Sequence, residues 1–389
     1  MAISPTLAAV AAPPIMEVQR WVRETVLPPG RRLINLSQAA PAGAPPEGLR
    51  RRLAQAVMED PAAHLYGPVL GNAELRRAIA RRWSASYDAA IGPEQVAVTA
   101  GCNQAFCVAV ATACAPGDAV MLPWPWYFNH KMWLDISGID CIPLPCGEGM
   151  LPDLDAARAA MTPAVRALVL VTPNNPTGAE YPDALMQGFY DLAAEAGAAL
   201  IVDETYRDFH SAAGAPHTLF RREGWNEVLV HLYSFSKVFR LTGHRTGAIV
   251  TGATRLGEAE KFLDTVTISP PQTGQIAALY GLETLAHWVA GEREEILARR
   301  AALVRGFGEL PGWRLDGIGA YFAWVTPPFD LPATETARRL LAKQALLVLP
   351  GSMFTPAETP TRALRIAFAN ADAGGLAETV RRLAAFRPR

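Results

Sequence analysis

The chain has 389 residues, 36 Lys+Arg against 37 Asp+Glu for a formal net charge of −1, and 50% apolar residues. That length suits one large domain or two sharing an interface, and the apolar fraction is too high for a disordered chain. The balanced charge argues against a nucleic-acid partner, which needs a clustered positive excess.

The opening, up to about Pro46, is rich in Pro and has little periodicity. Its apolar run Leu7–Ala12 has no Lys or Arg before it, so a signal peptide is not expected. The arginines at 50–52 and at 76, 77, 81 and 82 are diluted by Ala and Leu at helical spacing, as on solvated helix faces. From about Gly92 to Val250, β-rich runs alternate with helical stretches. Strands are expected at Gln95–Thr99, Ala119–Leu122, Asp140–Leu144, Ala167–Thr172, Ala199–Asp203, Val228–Tyr233 and Thr246–Val250, with helices such as Cys102–Cys114 and Ala184–Ala196 between them. Apolar strands separated by helices mark a mostly parallel sheet covered on both faces, whose ligand site lies beyond the strands' carboxyl ends. After Pro270-Pro271 one long helix is expected over Thr273–Phe307. A smaller α+β unit follows, with strands near Tyr321–Thr326, Leu346–Leu349 and Ala363–Phe368.

The longest apolar helical stretch, Ala105–Ala115, falls short of the roughly 18–20 residues a membrane span needs, so no membrane partner is expected. Cys102, Cys107, Cys114, Cys141 and Cys146 form no CxxC pair and no zinc-ligand spacing. They read as reduced thiols in a cytoplasmic protein. With no HExxH and no His pair at i, i+4, no metal site is expected; GxSxG, GxGxxG and Walker-type loops are also missing.

Polar residues gather at the strand ends. Ser234-Phe235-Ser236-Lys237 follows a β-run, and Arg245 lies eight residues beyond the lysine. A lysine flanked by hydroxyls and followed by an arginine suits a Schiff-base amine beside an anion site, burial lowering its pKa. Alone, the segment fits an ordinary turn lysine equally well. Asp203 ends a fully apolar strand, where an unpaired charge costs several kcal/mol. A protonated heterocyclic nitrogen would supply its partner, with Tyr206 in reach of the same ligand. Thr172–Gly178 is a turn whose doubled Asn-Pro frame fixes an Asn toward the strand end, although by itself it fits a plain turn. In Thr99-Ala100-Gly101-Cys102-Asn103, a glycine joins strand to helix, so backbone N–H groups there are placed to cradle a phosphate.

These segments, in order and spacing from about Tyr66 to Phe368, resemble the fold-type I pyridoxal-phosphate aminotransferases of the class I/II family, aspartate aminotransferase-like. The resemblance implies a large domain (48–285) with a mostly parallel seven-stranded sheet, and a smaller α+β domain built from 1–47 and 286–389. It implies pyridoxal 5'-phosphate as cofactor. Lys237 would form the Schiff base, with Ser234, Ser236, Arg245 and the Gly101-Cys102-Asn103 turn at the phosphate. Asp203 would pair with the ring nitrogen, and Tyr206 and Asn175 with the ring hydroxyl. Lys237, Asp203 and Tyr206 would be catalytic. The loop Pro125–His130 resembles the one carrying the stacking aromatic, Tyr127 being favoured over Trp126, with His130 supporting Asp203. Tyr66 resembles the tyrosine offered to the neighbouring subunit's phosphate, which implies a homodimer with shared sites. Arg365 resembles the arginine that clamps the substrate α-carboxylate. Asn175 and Ala39 would lie beside that carboxylate, Ala39 standing where the family commonly has glycine.

The implied chemistry is ping-pong transfer of the amino group of an L-amino acid to a 2-oxo acid such as 2-oxoglutarate. Asn103 and Thr265 fall where aspartate-specific relatives carry cations, so a strict aspartate or glutamate donor is not expected. An aromatic-lined pocket from Trp126, Tyr127, Tyr321 and Phe322 is expected instead. The same scaffold supports a rival lyase or oxidase, for example by β-elimination. A sensor module is disfavoured because no helix-turn-helix pattern precedes the motifs.

Overall fold

The computed structural model describes residues 3–41 and 43–388, so the expected domain limits at residues 1 and 389 lie outside it. After two N-terminal helices, Pro5–Ala9 and Pro14–Glu24, comes a two-residue strand, β1 (Ile34–Asn35). A seven-stranded sheet follows: β2 (Val96–Thr99), β3 (Ala119–Trp124), β4 (Asp140–Pro145), β5 (Val165–Val171), β6 (Ala199–Asp203), β7 (Leu229–Ser234) and β8 (Gly247–Val250). Its order is β2-β8-β7-β6-β5-β3-β4, and only β8 runs against the rest. The seven strands stand where the sequence places them, within a few residues.

The apolar runs are continuous because the sheet is covered on both faces. Along β5, Leu168 and Leu170 enter one core with helices Ala73–Tyr87 and Asp183–Glu195, while Ala167, Val169 and Val171 enter a second with helix Cys102–Ala111. Alternation by two thus buries every side chain of the run. Each Val or Leu so buried contributes about 1.5–3 kcal/mol relative to exposure.

The expected long helix is two, Gln272–Thr284 and Ala286–Gly308, because Leu285 leaves helical geometry at φ −105° and ψ 17°. Beyond them lie β9 (Arg314–Gly319), β10 (Phe322–Thr326), β11 (Leu346–Leu347), β12 (Leu349–Pro350) and β13 (Leu364–Ala367). A four-stranded antiparallel sheet is ordered β12-β13-β10-β9, while β1 pairs in parallel with β11. The N-terminal segment is stitched further by Leu36 N to Leu347 O (2.8 Å) and Ala367 N to Leu36 O (2.9 Å). Val18, Trp21 and Leu36 accordingly share one core with Leu340, Leu349 and Ile366. Among the described residues no helix is long and apolar enough to cross a membrane.

Candidate active site

Val171, Asp203 and Ser234 are the last residues of β5, β6 and β7, and all three line one cavity of about 260 Å³. Cys102, Asn103, Tyr127, Asn175, Tyr206, Ser236, Lys237 and Arg245 line it too. Residues scattered over almost 150 positions therefore converge at the carboxyl edge of the sheet, where open α/β sheets place their ligands.

One end of the cavity gathers a helix N-terminus, two serines and a guanidinium. Helix Cys102–Ala111 starts there, its free N–H groups preceded by Gly101 at φ +90°. A Cβ on Gly101 would collide with an Arg245 guanidinium nitrogen, and one on Gly247 would sit 2.8 Å from Cys102 N. Arg245 Nη1 donates to Thr242 O (3.0 Å), and Ser234 Oγ accepts from Ser236 N (3.3 Å). Among the described residues no carboxylate pairs with Arg245.

Asp203 is 4% exposed. Burial alone would raise its pKa, but His130 and Thr205 outweigh that and lower it, keeping it ionised. One carboxylate oxygen accepts from Thr205 N (2.9 Å), and the other stands 3.4 Å from His130 Nε2. Phe106 stacks on the His130 ring at 3.8 Å and so fixes its plane.

Lys237 Nζ donates to Ala39 O at 2.5 Å and lies 5.9 Å from the Tyr206 ring centroid. Burial, then the charges of Arg245 and Arg365, depress its pKa from 10.5 to about 8. Arg365, on β13, is 2% exposed between the rings of Phe322 (5.1 Å) and Phe354 (5.0 Å). Its Nη1 donates to Asn175 Oδ1 (3.0 Å), Nη2 to Ser37 O, and Nε is unpartnered. A buried guanidinium that faces only neutral acceptors is costly until a carboxylate joins it; burial lowers its pKa to about 10. The adjacent asparagines divide their tasks: Asn174 holds the turn through Val171 O and Tyr181 OH, freeing Asn175 for Arg365.

The aromatic pocket expected from the sequence is corrected. Tyr127 lines the cavity and donates to Asn103 Oδ1 (3.3 Å), but Trp126 faces a separate cavity beside Ala9, Ala11 and Phe128. Successive residues of an extended segment point to opposite sides, which separates the two rings. Tyr321 and Phe322 are buried behind Tyr206, at 5.3 and 5.1 Å, and brace it rather than line the cavity. Tyr66 is 79% exposed, outside its own chain's cavity and beside Gln272. Thr265 is exposed on helix Ala253–Thr267. Sequence reasoning missed Gln38, Ala40, Thr205 and Thr242 as lining residues. Only Thr205 had a signal, as the residue two beyond an Asp whose side chain closes a turn.

The family model for aminotransferase class I and II matches residues 31–383. The chain belongs to the class I and II aminotransferases. These are fold-type I, pyridoxal-phosphate-dependent enzymes, and this chain is one of them. An aromatic aminotransferase of Arabidopsis thaliana is 30% identical over 367 residues, 92% of this chain and 89% of that one. The solved N-succinyldiaminopimelate aminotransferase of Mycobacterium tuberculosis superposes with a TM-score of 0.89 at 28% identity, over 99% of this chain and 100% of that one. Aspartate aminotransferase from Thermus thermophilus with maleate gives 0.89 at 25% identity over 99% of each chain.

Proposed function

We propose that this aminotransferase holds pyridoxal phosphate in the cavity at the ends of β5, β6 and β7 and transfers the amino group of an L-amino acid with a neutral side chain to a 2-oxo acid such as 2-oxoglutarate. The observation that carries this reading is the convergence of Lys237, Asp203 and Arg245 on one cavity. The donor set fits the cofactor. Gly101, the N–H groups from Cys102 and Asn103, Ser234, Ser236 and Arg245 would hold the phosphate. The ionised, buried Asp203 would hold a proton on the ring nitrogen. Asn175 and Tyr206 would hydrogen-bond the ring hydroxyl, and Tyr127 would stack.

When bound, the cofactor supplies the carbonyl that takes up the amino group and the ring that receives electron density from Cα. The protein's part is positioning and proton transfer. Arg365 receives the donor's α-carboxylate, relieving its own uncompensated charge, with Asn175 and Ala39 beside it. Lys237 Nζ has a depressed pKa and so supplies neutral amine to take the proton from Cα, a role typically worth 10²–10⁴ in rate. The neutral-donor reading is supported by Asn103, which adds no charge at the cavity wall.

The exposure of Tyr66, Leu65 and Met58 (79%, 65% and 82%) supports a homodimer in which Tyr66 reaches the partner's phosphate site. Five free cysteines support a cytoplasmic location. The shared core of N- and C-terminal residues supports a small domain of 1–47 with 286–389 beside a large domain of 48–285.

The test is a visible absorption titration of the cofactor-loaded protein with single L-amino acids, followed by product analysis. A neutral amino acid should convert the cofactor to its aminated form, and 2-oxoglutarate should restore it. Release of ammonia or sulfide without the aminated cofactor would replace transfer by elimination.

A further inference from the structure

Asp203 and Tyr206 face the cavity, while Glu204 and Arg207 in the same turn face the opposite way, into the core beneath the sheet. Glu204 is fully buried. Its Oε2 accepts from Tyr87 OH and from His231 Nε2 (2.7 Å), and its Oε1 stands 3.5 Å from His217 Nε2. Both histidines are oriented by their other nitrogen. His231 Nδ1 accepts from Trp83 Nε1 (3.4 Å) and His217 Nδ1 from Leu219 N (3.3 Å), so each ring turns an Nε2–H toward the carboxylate. Burial alone would raise the Glu204 pKa, but the two histidines more than reverse it and hold the group ionised. The Arg207 guanidinium lies 4.6 Å from both the Trp83 and the Tyr87 ring, and Tyr87, Asp208 and Glu204 together raise its pKa against burial. The backbone closes the unit: Glu204 N donates to Leu232 O (3.0 Å), and Arg207 N to Glu204 O (3.1 Å).

We propose that Glu204, with Arg207, is a positioning residue for the reaction: the pair fastens the underside of the β6 turn and so fixes Asp203 and Tyr206 above it. A buried carboxylate pointing away from the ligand is expensive, and here its two hydrogen-bond donors come from helix Ala73–Tyr87 and from β7, with the His217 ring 3.5 Å away on a loop. Two separate elements are thereby tied, and a third is packed, against the residue that follows Asp203. The inference rests on the assignment of Asp203 and Tyr206 to the cofactor. The anchoring itself has a readout that needs no cofactor, because His130 touches Asp203.

The experiment compares full-length wild type and Glu204→Gln, labelled with ¹⁵N-histidine, with and without pyridoxal phosphate. The His130 signals are assigned by His130→Asn. Expected are shifted His130 ring signals in both states, and a kcat lowered roughly 10- to 100-fold with KM for the amino donor within about twofold, as for a small misplacement of reacting groups. Unmoved His130 signals with unchanged kcat would overturn the proposal. If Glu204→Gln does not fold, Tyr87→Phe removes a single donor and must move the same signals in the same direction; unchanged signals there overturn it equally. Failure of the cofactor assignment shows differently: wild type itself would take up no pyridoxal phosphate that borohydride fixes on Lys237, while the His130 shift still reports on the anchor.

Discussion

The amine of Lys237 donates a 2.5 Å hydrogen bond to the backbone carbonyl of Ala39, a residue 198 positions earlier in the chain. The bond aims Nζ into the cavity while burial and the nearby arginines bring its pKa to about 8. Uptake of pyridoxal phosphate should therefore accelerate as pH rises through about 8. Linkage gives a second sign. The cost of a charged, buried lysine is fully present below pH 8 and disappears toward 10.5, the unfolded value. Cofactor-free Lys237→Met should then be more stable than wild type at pH 7, by up to about 3 kcal/mol, with the gap closing by pH 10.5. Urea unfolding at several pH values measures it, and a gap that widens with pH contradicts the assignment.

Arg365→Lys should raise KM for the amino donor by roughly 10- to 100-fold. Lysine keeps the charge but loses the planar fork, and one charge-assisted hydrogen bond is worth about 1.5–3 kcal/mol. Steady-state kinetics with the preferred donor read this directly. A KM unchanged from wild type would mean that the substrate carboxylate goes elsewhere.

Two glycines with similar backbones separate strain from contact. At Gly30 (φ +74°) nothing lies within 4 Å of the place a Cβ would take, whereas at Gly178 (φ +77°) that atom would collide with Gly319 N. Gly30→Ala should cost about 1 kcal/mol, the left-handed penalty alone. Gly178→Ala should cost some 1–3 kcal/mol more, because the backbone of β9 has to move. Equal denaturation midpoints for the two variants would sink this account.

Tyr66 gives a prediction about assembly. Tyr66→Ala and Lys237→Ala proteins should each be weak or inactive, yet subunits exchanged between them should regain activity. In the proposed dimer with shared sites, a mixed pair would hold one site with Lys237 from one chain and Tyr66 from the other. If mass measurement verifies the exchange and activity still does not recover, Tyr66 lies outside the site.

Much of this arrangement is readable in the sequence because buried parallel strands are unbroken apolar runs, and polar residues that interrupt them stand out. Asp203, Ser234 and Asn175 are conspicuous for that reason. β9 is not, since Arg314–Gly319 is an edge strand whose two glycines and two charges hide any alternation. The break at Leu285 has no Gly or Pro to announce it. The direction of Trp126, and the burial of Tyr321 and Phe322 behind Tyr206, depend on packing between segments far apart in the chain, which no local pattern encodes. Glu204 shows the same limit: its meaning lies in Tyr87, His217 and His231, and nothing in the order of residues joins them.

The stitching of the N-terminal segment to β11 and β13 bears on how the molecule is made. Ser37 and Ala39 leave the ribosome early, but the guanidinium that Ser37 accepts from belongs to Arg365 and the edge that Leu36 joins includes Ala367. During synthesis the large sheet can form with its mouth open, and the wall of the cavity closes only after residue 367 has emerged. A chain stopped before β13 thus keeps Lys237 and Asp203 but lacks both the arginine and the strand that seats the beginning of the protein. Premature termination there leaves the strand ends of β5, β6 and β7 without the buried guanidinium and without the edge that holds Leu36.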